Sequence, residues 1–569
     1  MLLPLLLALA VVLGLGSYFE TSDDGSMAWL FSGVLAVKPV ASLPLYLHGY
    51  GHLLAAAYTA VPAGPWLGLL LTALLAAATA LWFAVLERLL RSWLQSGWLL
   101  VGLTLFFGLG WLEHWLWFSH ARTALLLATG GILFAAQRPA RRGPLLLGLV
   151  ALLAAWLVRP GLAGLGYVAA MPAALLLAGG WRATRPLLLS AGLLLALAFG
   201  LAALNQTPAE ASVQARDARL ARILDYEQLR PVPRTAADSL GTAAVGLWLL
   251  GDSAVVDPVL RGPAYRFDAA DFVGRVVPAK LKLRAGLLLR DYFPIVLALL
   301  ATAGATLRAR RGAPSGFWLV QLGFVAGLAG LAGILKLPPR LALPLLDCWL
   351  LTNLLFWRQA SAAGTLAIAS AAAAAGAIFN RSSNGEPAPH LAAGKNFRLR
   401  PLRFLGVGLL VAVVSLYTAK TWHRHQVLQQ ERRRHESALA VISQQTDQVR
   451  VLAGTNDLLK SLSPFRTYYL GPGPVLQLTG WPAHDASQAS LLRVLTGTPD
   501  QTESLRRLAR QAKAGSAVTW FLTPETAQWL CMRLTARGES LRLVPENVSP
   551  RIDPVGPVRT YHVSPQPKP

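Results

Sequence analysis

Residues 18–52 read YFETSDDGSMAWLFSGVLAVKPVASLPLYLHGYGH. An apolar run, MLLPLLLALAVVLGLG, precedes them and a second apolar region follows. Two adjacent carboxylates, Asp23 and Asp24, therefore sit a few residues beyond a first membrane span. A short amphipathic run and a Pro-punctuated link carrying His48 and His52 come next. Acids are scarce in this chain, 28 Asp and Glu against 52 Lys and Arg in 569 residues. An acidic pair held at a membrane face is the first place to look for chemistry. The plainer account of the pair is a solvated turn, with Asp24 as N-cap of the helix after it.

Working outward, the composition places the chain in a bilayer. Hydrophobic residues make up 54% and charged residues 14%, against about 25% charged in an ordinary soluble domain. The mean hydropathy is +0.46. About 11–12 apolar segments approach the ~20 residues that a span requires. The net charge of +24 does not point to nucleic acid, because the arginines cluster in short turns between apolar runs. Arg88/Arg91, Arg138/Arg141/Arg142, Arg182/Arg185 and Arg308/Arg310/Arg311 occupy every second loop. The positive-inside rule puts those turns in the cytoplasm. The acidic pair, Glu113/His114 and Arg159 then share the opposite, outer face. The two cysteines, Cys348 and Cys531, define neither a disulfide framework nor a metal site. The first apolar run lacks a basic flank and a cleavage site, and reads as an uncleaved span.

The expected fold is mainly α: a polytopic membrane helix bundle with a long outer loop and a small C-terminal α/β soluble domain. The transmembrane domain covers 1–418, with outer loops at 18–52, 113–122, 205–291 and 336–340. Leu341–Trp357 and Ala362–Phe379 read as separate spans, and Leu405–Tyr417 as a short last one. Within the long loop, Ser212–Leu229 has helical amphipathic spacing. Ser239–Leu250 is apolar but too short to span, so a re-entrant or interfacial helix is expected. Residues 419–448 read as a helical stalk. In 449–557, short apolar strands alternate with amphipathic helices. Residues 558–569 read as a disordered tail. Twelve spans put the C-terminal domain in the cytoplasm and eleven put it outside; basic residues at 381–403 and 420–434 balance and do not choose.

The order of a first span, an acidic pair in the first outer loop and an interfacial helix resembles the GT-C superfamily of integral-membrane glycosyltransferases. Protein mannosyltransferases and lipid A aminoarabinose transferases belong to that superfamily. DDGSMAWLFSG and the histidine-bearing GYGHLLAAAY are similar to uncharacterised bacterial members. The resemblance runs to about residue 418, although its specific motif is short. It implies a bacterial cytoplasmic (inner) membrane enzyme with a polyprenyl-phosphate-linked sugar donor. It implies inverting transfer to a lipid or glycan acceptor of the cell envelope, on the outer face. The base role falls on Asp24, with Asp23 beside it. Glu113, next to His114, matches a second acidic position by place rather than by a shared string; an interfacial aromatic belt is the alternative for EHWLWFSH.

A phosphate leaving group needs positive charge. Arg159 before Pro160, and Lys336 and Arg340 in KLPPR, are the candidates, with headgroup snorkelling as the alternative. His48 and His52 stand with His114 among the substrate-binding candidates. Four residues apart, they could share a helix face as metal ligands, with ordinary interfacial histidines as the alternative. The pair is a poor metal signature without further ligands, so no cofactor is assigned and a divalent metal is left open. GPGP at 471–474 lacks the Lys-Ser/Thr of a phosphate loop. Two other functions stay in play, a transporter or flippase of a lipid-linked saccharide and an inactive envelope-assembly scaffold. Membrane lipids are partners in every case.

Overall fold

The computed structural model describes residues 2–43, 49–309, 313–379, 400–444, 448–513, 518–539, 541–546 and 558–565. The chain opens with Leu2–Gly14 (α1), apolar on all sides. A two-residue strand, Tyr18–Phe19 (β1), leads into Ser22–Ser32 (α2), which has Asp23 and Asp24 in its first turn. Anions there are favoured by the exposed N–H groups of the helix start. Gly51–Ala60 (α3) and Trp66–Leu90 (α4) follow. Ser96–Phe106 (α5) continues through one wide turn into Leu112–Leu116 (α6), and Trp117–Phe118 (β2) pairs in parallel with β1. This pairing sets the acidic loop against the second outer loop.

His120–Ala136 (α7) runs through the middle of the bundle, nearly all of it buried, between α4 and the helices Arg142–Val158 (α8) and Pro160–Ala178 (α9). Trp181–Leu204 (α10) completes this part. The Gln137 side-chain amide donates to the Val85 carbonyl at 2.9 Å, bringing the ends of α4 and α7 together. The turns Arg88/Arg91 and Arg138/Arg141 thus lie at the same end of the bundle, away from the acidic loop. Among the described residues five helices are long and apolar enough to cross a membrane: Trp66–Leu90, Ser96–Leu116, Pro160–Ala178, Trp181–Leu204 and Pro339–Ser361. The pair Ala269–Asp291 and Phe293–Arg308, bent by 91°, adds a sixth if taken as one broken span. Leu2–Gly14, His120–Ala136, Arg142–Val158 and Phe317–Gly333 are apolar and shorter. The chain is a polytopic membrane helix bundle.

The long outer loop is built of packed elements. Pro208–Leu224 (α11) starts at a reciprocal cap between Thr207 and Glu210, and Ala236–Gly246 (α12) at one between Thr235 and Asp238. Each cap satisfies two backbone donors that the first turn leaves open. Leu229–Pro231 (β3) pairs antiparallel with Tyr265–Phe267 (β4), and Ser253–Arg261 (α13) lies between them. Ala269–Asp271 (α14), Val277–Asp291 (α15) and Phe293–Arg308 (α16) return the chain to the membrane region, where Phe317–Gly333 (α17) follows. The apolar stretch 239–250 is no re-entrant element. Ala244, Val245, Leu249 and Leu250 are buried in a core shared with the C-terminal domain, and protein rather than lipid covers them.

Two long helices replace expected breaks. Pro339–Phe379 (α18) is one helix of 41 residues where the sequence predicts two spans. Arg400–Ser443 (α19), 44 residues, joins the short last span to the stalk. Neither RQASA at 358–362 nor KTWHRHQ at 420–426 holds a Gly or Pro, so nothing ends the backbone ladder.

Beyond α19 come Val449–Ala453 (β5), Val475–Gln477 (β6), Ala486–Thr496 (α20), Gln501–Lys513 (α21), Val518–Leu522 (β7) and Pro524–Thr535 (α22). Leu541–Pro545 (β8) and Arg559–Pro565 (β9) close the sheet. Its order is β6-β5-β7-β9-β8, with β5, β6 and β7 parallel and β9 antiparallel to both neighbours. Residues 559–565 are therefore a sheet strand, correcting the expected tail. Tyr561 is buried there and backbone pairing on both sides holds the segment.

This domain sits on the face of the acidic loop, which answers the tie left by the basic residues. The Phe19 N–H donates to the Leu462 carbonyl at 2.8 Å, and the Ser461 N–H to the Phe19 carbonyl at 3.0 Å. Trp29 Nε1 donates to the Tyr468 carbonyl at 2.8 Å. On the outer loop, Arg533 pairs with Asp252 at 3.1 Å, and Trp529 Nε1 donates to the Leu240 carbonyl at 3.0 Å.

A Cβ at Gly68, at the start of α4, would lie 1.8 Å from the Pro464 carbonyl oxygen. Overpacking of this kind costs about 1–3 kcal/mol. Gly68→Ala is expected to lower the thermal unfolding midpoint of the detergent-solubilised protein and to increase proteolysis between residues 460 and 468. An unchanged midpoint would mean that this seam adds little to docking.

Candidate active site

A cavity of about 750 Å³ opens where the membrane bundle, the long outer loop and the C-terminal sheet meet. Each wall has a local reason to be there. Thr21, the N-cap of α2, places Ser22 and Asp23 at the rim. Arg159 is at once the residue after α8 and the N-cap of α9, extended at φ −152° and ψ 98°. Pro160 enforces that conformation, because the residue before a proline is driven out of the helical region. Lys336 precedes two prolines, and Pro339 starts α18 so that Arg340 lies in its first turn. One face of α11, with Gln214, Asp217, Ala218 and Ala221, forms a side wall. Trp248 and the loops after β5 and β6 form the roof.

The sequence candidates divide into two groups. Asp23, Arg159, Lys336 and Arg340 all line this cavity. Lys336 Nζ is 2.5 Å from Asp225 Oδ1, so its charge is partly shared. Arg340 makes no hydrogen bond or ion pair among the described residues, and its charge acts on Asp23. Asp24 lies directly behind, fully buried. Its Oδ1 accepts from His120, with Nδ1 at 2.8 Å and the backbone N–H at 3.0 Å, and its Oδ2 accepts from Thr21 Oγ1 at 3.0 Å.

The two neighbouring carboxylates are driven apart. Burial pushes the Asp23 carboxyl above the usual aspartate range and Asp24 adds to that, while Arg340 and His120 oppose it. Burial also pushes Asp24 upward, but the charge and hydrogen bonds of His120 outweigh it and hold Asp24 below the usual range. Such a split separates a carboxylate that stays ionised from a neighbour that takes up a proton more readily.

The remaining candidates lie elsewhere. Glu113 is buried and accepts from Tyr417 Oη at 3.0 Å and Arg424 Nη1 at 2.8 Å, with Lys420 Nζ at 3.4 Å. It fastens α19 to α6. His114 Nε2 is 2.9 Å from Asp347 Oδ2, inside the bundle. Its Nδ1 is 3.3 Å from Arg122, which pairs with Glu20 at 2.7 Å. His52 is exposed on α3, and His48 lies outside the described residues. Among the described residues no group of three or more His, Cys, Asp or Glu side chains is placed to hold a metal ion.

His120, Arg122, Glu20, Asp225 and the strand-end residues of the C-terminal sheet escape sequence reasoning. His120 and Arg122 are visible in FSHAR, yet only the pairing of β1 with β2 sets them beside residues about a hundred positions earlier.

No family model matches the chain, and no curated protein matches it. Among solved structures it is similar to the crystal structure of ArnT from Cupriavidus metallidurans in the apo state. The identity is 16%, over 98% of this chain and 97% of that one, with a TM-score of 0.45. A likeness at that identity and superposition carries no inference about activity.

A hydrogen bond to a charged group contributes about 1.5–3 kcal/mol, and the Asp24 carboxylate accepts from Thr21, the His120 backbone and the His120 ring. Asp24→Ala is expected to destabilise the protein on that scale at neutral pH. Because Asp24 is held below the unfolded value of about 3.9, its contribution is complete above that pH. It is lost as pH falls through the lower folded value. The gap between the unfolding midpoints of wild type and variant should therefore narrow below about pH 4. A gap independent of pH would refute an ionised Asp24.

Proposed function

We propose that this chain is a membrane glycosyltransferase of the GT-C type. It transfers a sugar from a polyprenyl-phosphate-linked donor to a lipid or glycan acceptor of the cell envelope, at the outer face of the bacterial cytoplasmic membrane. The observation that carries this reading is the cavity itself, in which a carboxylate with raised pKa shares one space with Arg159, Lys336 and Arg340.

The donor phosphate rests against these three cations, with the Arg side chains offering paired hydrogen bonds. The acceptor hydroxyl donates to Asp23. As the acceptor oxygen forms its bond to the anomeric carbon, the bond from that carbon to the phosphate oxygen breaks on the opposite side. The phosphate leaves with the bonding electrons, steadied by the cations, and the acceptor proton passes to the Asp23 carboxylate. Displacement from the opposite side inverts the anomeric centre. Asp24 stays ionised on His120 and holds the first turn of α2, which makes it a positioning residue in this scheme. Glu113 and His114 anchor helices behind the site.

A second reading, transport of a lipid-linked saccharide, draws on the buried His114–Asp347 pair within spanning helices. Ionisable groups at that depth commonly belong to a transport pathway.

The test uses the full chain in lipid with a panel of radiolabelled polyprenyl-phosphate sugars. Asp23→Asn should keep donor binding and lose sugar transfer by about 10²–10⁴-fold. Arg340→Ala should weaken donor binding by roughly 10–100-fold, the worth of one charged hydrogen bond. Full transfer activity in Asp23→Asn would remove it as base, and a donor carried across the bilayer without release would favour the transporter.

The pH profile follows from the same charges. A base must be deprotonated, so kcat/KM should fall as pH drops through a value above the ordinary ~3.9 of aspartate. Arg340 pulls that value down, so Arg340→Ala should move the acid limb to higher pH. An unmoved limb would separate Arg340 from the titrating group.

A further inference from the structure

The roof of the cavity differs chemically from its floor. The cations come from the membrane bundle, while the C-terminal sheet contributes Asn456, Asp457, Thr479 and Trp481. Those residues follow β5 and β6 directly. β5 is flanked by β6 on one side and β7 on the other, all three parallel, so the strand order reverses around β5. In open α/β sheets ligands bind outside the carboxyl ends of the strands, where the order reverses. Here that crevice opens into the cavity.

Backbone geometry at the crevice is specialised. Trp248 has φ +60°, a left-handed conformation that a bulky residue rarely adopts and that tends to mark functional sites. The Gly480 N–H donates to its carbonyl at 2.8 Å, and its ring meets that of Trp481 at 6.0 Å, nearly edge-on. Gly480 and Gly454 themselves sit at φ +85° and +75°. A Cβ on Gly480 would lie 2.9 Å from Asn456 Nδ2, and one on Gly454 would lie 2.4 Å from Thr523. Both glycines let the strand-end loops close over the cavity. The Thr479 hydroxyl accepts from the Gly454 N–H at 3.1 Å and lies 2.9 Å from the Asn456 amide, which joins the two loops.

We infer that this roof, Asn456, Asp457, Thr479 and Trp481 together with Trp248, is a carbohydrate subsite that holds the glycosyl ring of the donor. The inference rests on the glycosyltransferase reading and adds the part of the ligand that the cations cannot recognise. The indoles offer apolar surface to the C–H faces of a sugar. The exposed Asp457 carboxylate accepts from its hydroxyls, and the Asn456 amide holds the two strand-end loops together through Thr479 and Gln477. A few polar groups converging beside aromatic surface is how small-molecule sites fix orientation. A ligand with phosphate at one end and a polyhydroxyl ring at the other matches floor and roof together. The C-terminal domain therefore sets which sugar is accepted.

The experiment compares binding of bare polyprenyl phosphate with its glucosyl, mannosyl, galactosyl and arabinosyl forms, using the full chain in nanodiscs. At least one glycosyl form should bind wild type tenfold or more tightly than the bare lipid. Asp457→Asn, at an exposed position, and Trp248→Gly, which suits the backbone at φ +60°, should each abolish that difference and leave bare-lipid affinity unchanged. A difference that persists in either variant, or that a lipid-binding wild type never shows, overturns the subsite. Arg340→Ala reports separately on the underlying reading. It should weaken bare and glycosylated lipids alike, and unchanged bare-lipid binding would refute the phosphate site while leaving the sugar difference to judge the roof. If wild type binds no lipid, the phosphate reading fails, and the roof is judged by free monosaccharide binding in NMR, which Asp457→Asn must remove if the subsite is real.

Discussion

A carboxylate without solvent must be paired, and the burial of Asp24 organises the site around that requirement. Its partner His120 stands at the first residue of α7, 96 positions along the chain. The ring and the backbone N–H of His120 both reach the same oxygen. This fixes the first turn of α2 against the central helix of the bundle. The parallel pairing of β1 with β2 brings the two loops to that distance. With Asp24 committed to His120, the adjacent Asp23 is left at the cavity rim. Two neighbouring residues of one type thus take different environments because a helix turns by about 100° between them.

The cavity exists only because the C-terminal domain folds back onto the first outer loop. Phe19 exchanges backbone hydrogen bonds with residues 461 and 462, and the outer-loop helices share a hydrophobic core with the sheet. The buried Arg533–Asp252 pair and the His484–Asp217 pair, the latter at 2.5 Å, tie the sheet to the outer loop. Behind the site, Glu113 joins α6 to α19 through Tyr417 and Arg424. The helix that carries the C-terminal domain is thereby held at its base as well as at its end. A roof fastened at both ends places its strand-end loops at a constant height above Arg159, Lys336 and Arg340.

Particular residues show how much of this was legible beforehand. Arg159-Pro160 and KLPPR announced cations fixed by proline at helix ends, and both line the cavity. The alternation of arginine-rich turns told the two ends of the bundle apart. Glu113 looked equivalent to the acidic pair by its place in the chain. It is turned instead toward Tyr417 and Arg424, partners some three hundred residues away that no local pattern reveals. The apolar stretch at 239–250 looked lipid-bound for the same reason, since hydropathy does not distinguish lipid from a protein partner.

By itself the sequence determined a helical membrane bundle and the residue types available in the acidic loop. These follow from local physics: apolar length, charge in turns, and the dihedral limits of proline and glycine. Only the tertiary structure decided that Asp23 rather than Asp24 meets the cavity, and that β9 closes a sheet at the chain's end. It also decided that the C-terminal domain roofs the site. Each of these depends on contacts between residues far apart in the chain, where burial and pairing outweigh local propensity.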